Sequence, residues 1–297
     1  MKEIVLLSGK GGTGKTSLTA AFAVLQKESV AADCDVDGAD MHLLLSPTID
    51  ERHAFHSGQQ VRFRPGLCSA CGKCIELCSF DAISATGPGN GLIPWTPRLA
   101  PFACEGCGLC AHFCPEEACV IEEARAGEWY ISNTRCGPLV HARLNPGFGN
   151  SGKLAAHVKE RARALAKEKG YDYLLVDGPP GVGCPVIASL SGASYVVLVT
   201  EPTQSSLHDA MRVFELTKHF SIPTAIVINK ADLHQPLSRE LKSWAIHNEI
   251  HYLGDMSYDK NMTKAQVVGK TIVEYETEST QTKEVKAIWQ KLRQLLA

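Results

Sequence analysis

Two sets of residues in this 297-residue chain have types and spacings that could do chemistry: a loop rich in glycine and lysine, and a set of clustered cysteines. The loop follows the apolar run 4–7 and precedes a predicted helix. Its glycines let backbone N–H groups surround a phosphate, and a helix N-terminus adds partial positive charge there. We predict a nucleotide-binding loop made of Gly9, Lys10, Gly11, Gly12, Thr13, Gly14, Lys15, Thr16 and Ser17.

Two side chains of this loop carry its chemistry. Lys15 is expected to reach the β- and γ-phosphates, and the Thr16 hydroxyl to ligate Mg²⁺. Acidic residues follow two later buried strands: the segment 33–40 contains four aspartates, and the strand 172–177 ends in Asp177. Parallel α/β sheets place catalytic groups at such strand ends. We therefore predict Asp35 and Asp177 as partners of Mg²⁺; the alternative for the first segment is a solvated acidic turn.

The cysteines form the second set. Eight of the twelve lie between residues 68 and 114, in two quartets spaced Cys-x-x-Cys-x-x-Cys-x-x-x-Cys. Clustered cysteines in a chain without an apparent export signal indicate metal binding more than disulfides. The first quartet is Cys68, Cys71, Cys74 and Cys78, and the second is Cys104, Cys107, Cys110 and Cys114, followed by Pro115.

This run resembles the cysteine pattern of bacterial-type ferredoxins, which hold two [4Fe–4S] clusters. In that pattern three cysteines of a quartet hold one cluster and the fourth completes the other. One predicted cluster is held by Cys68, Cys71, Cys74 and Cys114, and the other by Cys104, Cys107, Cys110 and Cys78. A pair of Cys₄ zinc sites is the alternative, although zinc sites usually use CxxC pairs. The segments after the quartets repeat each other, and we align Cys119, a small buried residue, with Ala82.

Strand-like and helix-like segments alternate in the rest of the chain. Buried strands are predicted at 29–32, 172–177, 195–199 and 224–228, which favours a doubly wound, mostly parallel α/β sheet. Residues 51–60 show no clear periodicity and are predicted to be a loop. Three amphipathic helices are predicted from their inward residues: Leu154, Val158, Ala162 and Leu165; Leu207, Met211 and Phe214; and Val285, Ile288, Trp289, Leu292 and Leu295.

The extra lysine of the glycine-rich loop, Lys10, gives it the pattern Gly-Lys-Gly-Gly-x-Gly-Lys-Thr. This pattern resembles the deviant Walker A ATPases: the MinD/ParA group, the nitrogenase iron protein and the Mrp-type iron–sulfur carriers. The resemblance implies that Lys10 reaches the nucleotide of a second subunit, in a homodimer or a heterodimer with a related ATPase. It also implies that 33–40 is switch I, with Asp35 orienting the attacking water, and that 178–181 is switch II.

The same resemblance bears on two further positions. Asn229 and Lys230 follow a predicted strand, and an asparagine here contacts adenine in the resembling family, which favours ATP over GTP without excluding GTP. Cys184 lies seven residues beyond Asp177, the distance at which the nitrogenase iron protein has a cluster-ligating cysteine in switch II. The resemblance implies that Cys184 binds or receives a cluster, with Cys136 as a partner ligand. The alternative is a small residue in a turn before Pro185.

Together the motifs predict a P-loop ATPase domain, residues 1–60 and 132–297, into which a small α+β ferredoxin-like domain, 61–131, is inserted. The chain thus resembles MinD-superfamily ATPases that carry an inserted ferredoxin domain. The expected cofactors are ATP, Mg²⁺ and two [4Fe–4S] clusters. Our main hypothesis is an ATPase that couples nucleotide state to electron transfer towards a redox partner. The alternatives are an assembly or carrier protein that serves an apo-metalloprotein, and a MinD/ParA-like spatial organiser with structural clusters.

Composition restricts the partners. The formal net charge of -2 gives no sign of nucleic-acid binding. No apolar run approaches the roughly 20 residues that span a bilayer, and no secretory leader is recognisable, so we expect a cytoplasmic protein. Lysines beside the apolar face of the last helix could attract a membrane surface, but packing on the sheet explains the same pattern, and we expect no membrane binding.

Overall fold

The computed structural model describes residues 1–297 and contains eleven strands and eleven α-helices. The strands are β1 (Lys2–Ser8), β2 (Ser29–Asp33), β3 (Thr48–Phe63), β4 (Ile83–Pro88), β5 (Trp95–Leu99), β6 (Cys119–Thr134), β7 (Gly137–Leu144), β8 (Tyr173–Pro180), β9 (Tyr195–Thr200), β10 (Thr224–Asn229) and β11 (His251–Met256). The helices are α1 (Lys15–Gln26), α2 (Met41–Leu45), α3 (Lys73–Glu76), α4 (Leu109–His112), α5 (Ser151–Lys169), α6 (Cys184–Leu190), α7 (Gln204–His219), α8 (Gln235–His247), α9 (Lys260–Val267), α10 (Ile272–Tyr275) and α11 (Thr280–Leu296).

These elements divide into two compact units. The first unit comprises 1–53, 129–143 and 151–297, and the second comprises 54–128 and 144–150. The predicted insertion limits were 61 and 131. The second unit therefore begins at residue 54 instead of 61, and its main segment ends at 128 instead of 131. It also includes residues 144–150.

The first unit is built on a mostly parallel sheet, in the order β11-β10-β9-β1-β8-β2-β7-β6-β3, to which β6 and β3 contribute residues 129–134 and 48–53 of this unit. Strand β1 lies at its centre and pairs in parallel with β8 and β9. Because side chains alternate across a strand, Ile4 and Leu6 contribute to one packed face while Val5 and Leu7 are buried on the other. Parallel strands buried on both faces read as continuous apolar runs, which is why these segments were visible in the sequence.

Helices cover both faces of this sheet. On one side α1 packs against α11, where the rings of Phe22 and Trp289 lie 4.8 Å apart. Helices α5 and α6 pack against each other and against β2 and β8. The α/β, mostly parallel fold predicted from the sequence is confirmed.

Several local predictions differ from the structure. Residues 51–60 belong to the long strand β3 and not to a loop. The prediction was wrong because most side chains of this strand are exposed, so no alternation of apolar and polar residues marks it in the sequence. Strand β8 continues to Pro180, so the turn after it starts at Gly181. Met211 and Leu295 were predicted to point inward, but they are 36% and 43% exposed.

The second unit contains the two cysteine quartets, the short helices α3 and α4, and the antiparallel pair β4–β5. Its core is small: only Val61, Ala82, Ile83 and Cys119 form its buried centre. Partly buried residues pack around this centre, and they include the quartet cysteines Cys74, Cys78, Cys104, Cys110 and Cys114. The thiols therefore form part of the packing of this unit.

Candidate nucleotide and cysteine sites

The glycine-rich loop connects β1 to α1 and surrounds the start of that helix. Gly14, at the helix N-cap, has a φ of 89°, and a Cβ built on it would lie 2.4 Å from Nδ2 of Asn229. Only glycine fits both the left-handed backbone and this close approach. The amide of Asn229 in turn donates to the Thr13 carbonyl at 2.8 Å, so Asn229 supports the loop from below.

Lys15 and Thr16 both contact Asp177 at the carboxyl end of β8. Lys15 Nζ donates to Asp177 Oδ1 at 2.8 Å, and Thr16 Oγ1 donates to Asp177 Oδ2 at 2.6 Å. Asp35 Oδ2 lies 3.8 Å from Lys15 Nζ. The structure thus brings the four predicted phosphate and Mg²⁺ residues into one cluster, as parallel strands ending at one sheet edge require.

Burial and charge set the protonation of this cluster. Burial lowers the pKa of Lys15, but the neighbouring carboxylates, Asp177 above all, outweigh burial and the net pKa is raised. Burial raises the pKa of Asp35 to about 6, partly offset by Lys15 and reinforced by Asp177. Burial and Asp177 also hold the pKa of Asp33 well above its usual value. Asp33 accepts hydrogen bonds from the backbone N–H groups of Asp35 and Met41, at 3.2 and 3.1 Å, and so shapes the 33–40 segment.

A cavity of about 680 Å³ opens over the loop. Besides the loop residues and Asp35, it is lined by Tyr258, Met262 and Gln266, from the segment after β11 and from α9. Gln266 Nε2 donates to Ser17 Oγ at 2.7 Å. The sequence did not indicate that these residues line the cavity, because their segment contains no motif and lies about 250 residues from the loop.

The two remaining lysines of the site share one carboxylate that the sequence also did not reveal. Lys10 Nζ lies 2.7 Å from Glu201 Oε1, and Lys230 Nζ lies 2.8 Å from Glu201 Oε2. Lys10 also approaches the hydroxyls of Thr203 and Ser205. Burial raises the pKa of Glu201, but the hydrogen bonds from the two lysines outweigh it and the net pKa is lowered. Glu201 follows directly after β9, and that position is the only sequence signal for its role.

The loop suits a bound nucleotide and Mg²⁺. The hydroxyl of Thr13 is buried and has no hydrogen-bond partner in the protein, so a ligand in the loop could supply one. The carboxylate and hydroxyl oxygens of Asp35, Asp177 and Thr16 are the donor atoms that Mg²⁺ prefers. Lys230 Nζ donates to the Gly12 carbonyl at 3.2 Å and adds positive charge beside the loop.

In the second unit the thiols surround two separate small cavities. We name site 1 the cavity lined by Cys68, Cys71, Cys74 and Cys114. Site 2 is the cavity lined by Cys78, Cys104, Cys107 and Cys110. The structure therefore brings together the same two sets of four that the quartet spacing predicts, with the fourth cysteine of each quartet facing the other quartet's cavity.

The backbone around these thiols follows a repeated geometry. Three backbone N–H groups donate hydrogen bonds to cysteine sulfurs: that of Ala70 to Cys68 at 3.4 Å, that of Ala82 to Cys78 at 3.4 Å, and that of Ala118 to Cys114 at 3.2 Å. Such bonds stabilise thiolates and tune the clusters that thiolates hold. At Gly106 the φ is 67° and a Cβ would lie 2.4 Å from the Gln59 carbonyl oxygen, so glycine is required there.

The donor set of each cavity is chemically suited to iron–sulfur chemistry, because four predicted ligand thiols line one space. No group of three or more His, Cys, Asp or Glu side chains converges closely enough to hold a metal ion. The two central thiols differ in acidity. The hydrogen bond with Cys119 lowers the pKa of Cys74 to about 7 against the effect of burial, whereas burial and then Cys104 raise the pKa of Cys110 to about 11.

Cys184 and Cys136 belong to the first unit, and neither lines these cavities. Cys184 is exposed and begins α6, just after the turn that follows β8. Cys136 is buried, beside Gly137, which packs on the Ser29 carbonyl oxygen at the amino end of β2. Strands β2 and β8 are parallel, so the two thiols lie at opposite edges of the sheet. The structure does not bring Cys136 to Cys184 as a partner ligand.

The sheet and its β1–loop–α1 connection define an α/β P-loop fold like that of MinD. Residues 162–293 match the family model described as ParA: NUBPL iron-transfer P-loop NTPase. The chain is similar in structure to MinD of Pyrococcus horikoshii complexed with Mg-ADP, with a TM-score of 0.59, 16% identity and coverage of 100% of this chain and 97% of that one. For MinD of Pyrococcus furiosus the TM-score is 0.58, with 17% identity and 99% of both chains covered.

Two archaeal proteins are similar along the whole sequence. Uncharacterized protein MJ0578 of Methanocaldococcus jannaschii is 29% identical over 298 residues, which cover 99% of this chain and 97% of that protein. Uncharacterized protein MJ0579 of the same organism is 22% identical over 304 residues, with 93% of each covered. None of the helices of the present chain combines the length and apolarity that a membrane span needs.

Proposed function

We propose that this chain is an ATP-dependent iron–sulfur assembly or carrier protein. It binds Mg-ATP in the cavity over the glycine-rich loop, holds [4Fe–4S] clusters at site 1 and site 2, and delivers an iron–sulfur centre to an apo-protein. The observation that carries the proposal is the presence, in one chain, of a complete nucleotide loop and two cavities that each contain one predicted set of four cysteine ligands. The iron-transfer description of the family model that matches 162–293 supports delivery.

Specific residues have defined roles in this function. Lys15 neutralises the phosphates, Thr16 and Asp177 hold Mg²⁺, and Asp35 orients the attacking water. Lys10 leaves its ion pair with Glu201 and contacts the nucleotide of a second subunit, in a homodimer or in a heterodimer with a related ATPase. Cys184, exposed beside the turn after β8, receives or binds a cluster when the nucleotide state of that turn changes.

The test is a transfer assay with the full-length, anaerobically reconstituted protein. Iron and sulfide content and the electron paramagnetic resonance spectrum establish whether two [4Fe–4S] clusters are present. An apo-ferredoxin then serves as acceptor, with Mg-ATP, Mg-ADP or a non-hydrolysable ATP analogue added. We expect Mg-ATP to accelerate transfer and Lys15→Ala to abolish the acceleration. Stable clusters that never leave the protein under any nucleotide condition would exclude the carrier function.

A second function, nucleotide-gated electron transfer to a redox partner, has one observation in its favour. Each cavity has a full set of four thiols, and the fourth thiol of each set comes from the other quartet. A cluster with four protein ligands is held firmly and suits electron relay. In the same assay this function predicts that an acceptor is reduced without gaining iron, and that Mg-ATP changes the reduction potentials of the clusters.

A further inference from the structure

Site 1 and site 2 are related by an internal repeat, and the structure fixes the alignment of the two halves. The residues four positions after Cys78 and Cys114 are Ala82 and Ala118, and both donate their backbone N–H to the preceding cysteine sulfur. One position earlier, Asp81 and Glu117 have φ values of 50° and 51°. Cys119 therefore corresponds to Ile83, and the sequence alignment of Cys119 with Ala82 is wrong by one residue.

This corrected alignment reveals a difference between the two sites. Ile83 lines site 2, and Cys119 lines site 1 as a fifth thiol beside its four predicted ligands. Both side chains are buried, at 6% and 7% exposure. An isoleucine offers only methyl groups to its cavity, whereas a cysteine offers a weak hydrogen-bond donor.

The thiol of Cys119 lies among two of the predicted ligands of site 1. Cys74 and Cys114 pack against the buried core that contains Cys119, and all three cysteines line the same cavity. The backbone N–H of Ala118 already donates to the Cys114 sulfur at 3.2 Å. A donor that points at a ligating sulfur stabilises the reduced cluster more than the oxidised one, because the reduced cluster carries one more negative charge.

Three other differences between the sites involve charge. Lys73 and Glu116 line site 1 where Leu109 and Phe80 line site 2, and Glu105 lines site 2 where Ser69 lines site 1. All three charged residues are exposed, so solvent screens their effects on the cavities. Cys119 differs from them because it is buried.

We infer that Cys119 is a positioning residue of site 1: its S–H donates to the sulfurs of Cys74 and Cys114 and gives the site 1 cluster a higher reduction potential than the site 2 cluster. This inference rests on the proposed function, since it requires clusters in both cavities. Electrons that enter the pair then come to rest at site 1, and reduction is directed towards that cavity.

The experiment is a redox titration, followed by electron paramagnetic resonance, of the reconstituted full-length protein. We expect two resolved potentials in the wild type. Cys119→Val removes the donor at similar size and should lower the higher potential, so that the two converge. Cys119→Ser keeps an O–H donor and should restore most of the separation. Ile83→Cys introduces the thiol at site 2 and should raise the lower potential, while Ile83→Val, its control for size, should not.

The outcomes separate the inference from the function on which it rests. Clusters that assemble normally with potentials unchanged in Cys119→Val and in Ile83→Cys overturn the inference and leave the function intact. Loss of about half of the iron in Cys119→Val also overturns it, because Cys119 would then be a ligand and not a donor. A wild-type protein that binds no cluster overturns the proposed function itself. Should Cys119→Val fail to fold, the potential of site 2 in Ile83→Cys decides between support and rejection.

Discussion

The nucleotide site and the cysteine sites are prepared for their ligands in opposite ways. In the nucleotide site the functional side chains neutralise one another: Lys15 is paired with Asp177, and Lys10 and Lys230 are paired with Glu201. In the second unit the thiols enclose two cavities. Binding at the first site must therefore exchange ion pairs, whereas binding at the second fills existing spaces.

This contrast determines how each site contributes to stability. The two charges of a buried ion pair compensate each other without a ligand, so the first unit can be stable without a nucleotide. Loss of one partner leaves the other charge buried and uncompensated. The second unit has a small core in which thiols take part. Because a bound cluster stabilises the folded state that binds it, the second unit should gain much more stability from its ligand than the first. Substitutions in the two sites should therefore have separable effects.

The largest effect is expected for Lys15→Ala. The variant leaves Asp177, which is fully buried, without its cation, and should destabilise the ligand-free protein by about 3 kcal/mol. ATP affinity should fall about 100-fold or more, since a charge-assisted phosphate contact of roughly 3 kcal/mol is lost. Urea unfolding and titration with labelled ATP measure the two effects. Iron content should not change; a parallel loss of iron would show that the sites are not independent.

The next effect is expected for Cys68→Ser, which removes one predicted ligand of site 1. The reconstituted variant should retain about half of the wild-type iron, because the four thiols of site 2 stay intact. Its ATP affinity should equal that of the wild type. Cys136→Ser is the matched control, since this buried cysteine lies in the first unit, hydrogen-bonded to Thr134. Equal iron in Cys68→Ser and wild type would exclude Cys68 as a ligand.

Residues that act as a contiguous motif were predictable from the sequence, and residues that reach a site through the fold were not. The loop 9–17 and the two quartets have spacings that their chemistry demands, and the sheet's buried strands appear as apolar runs. Glu201 and Gln266 join the nucleotide site only because the fold brings distant segments to one edge. Cys119 shows that even within a motif the sequence alone can mislead. Its alignment with Ala82 instead of Ile83, an error of one residue, concealed the thiol that distinguishes site 1 from site 2.

A smaller effect is expected for Asp35→Asn. In the ligand-free protein the pKa of Asp35 is about 6, above the ordinary aspartate value, mainly because of burial. The folded state then binds more protons than the unfolded state between about pH 4 and 6, so the contribution of Asp35 to stability falls as pH rises through this window. At pH 7 the neutral variant should be more stable by about 1 kcal/mol, a value reduced from the full shift because the side chain is partly exposed.

The pH dependence identifies the cause of that gain. At pH 4 Asp35 is protonated in the folded wild type, so the stability advantage of Asp35→Asn should nearly disappear in thermal unfolding. Asp37→Asn is the control, because Asp37 is exposed on the same segment and is only a minor cause of the raised pKa of Asp35, so its gain at pH 7 should be much smaller than that of Asp35→Asn. The Asp35 variant should also hydrolyse ATP more slowly, since an amide orients the attacking water less well. A gain in stability that is independent of pH would contradict the assignment.

The smallest effect on stability is expected for Glu201→Gln, which contrasts most directly with Lys15→Ala. Its partner Lys10 is about one third exposed, and exposed ion pairs contribute at most about 1 kcal/mol. The glutamine still accepts hydrogen bonds from Lys10 and Lys230, so unfolding should shift by less than this amount. Lys10→Ala should be equally mild in unfolding, yet it should reduce ATP hydrolysis if Lys10 acts on a second subunit's nucleotide. A Lys10→Ala protein that hydrolyses ATP at the wild-type rate would exclude the action of Lys10 on a second subunit's nucleotide.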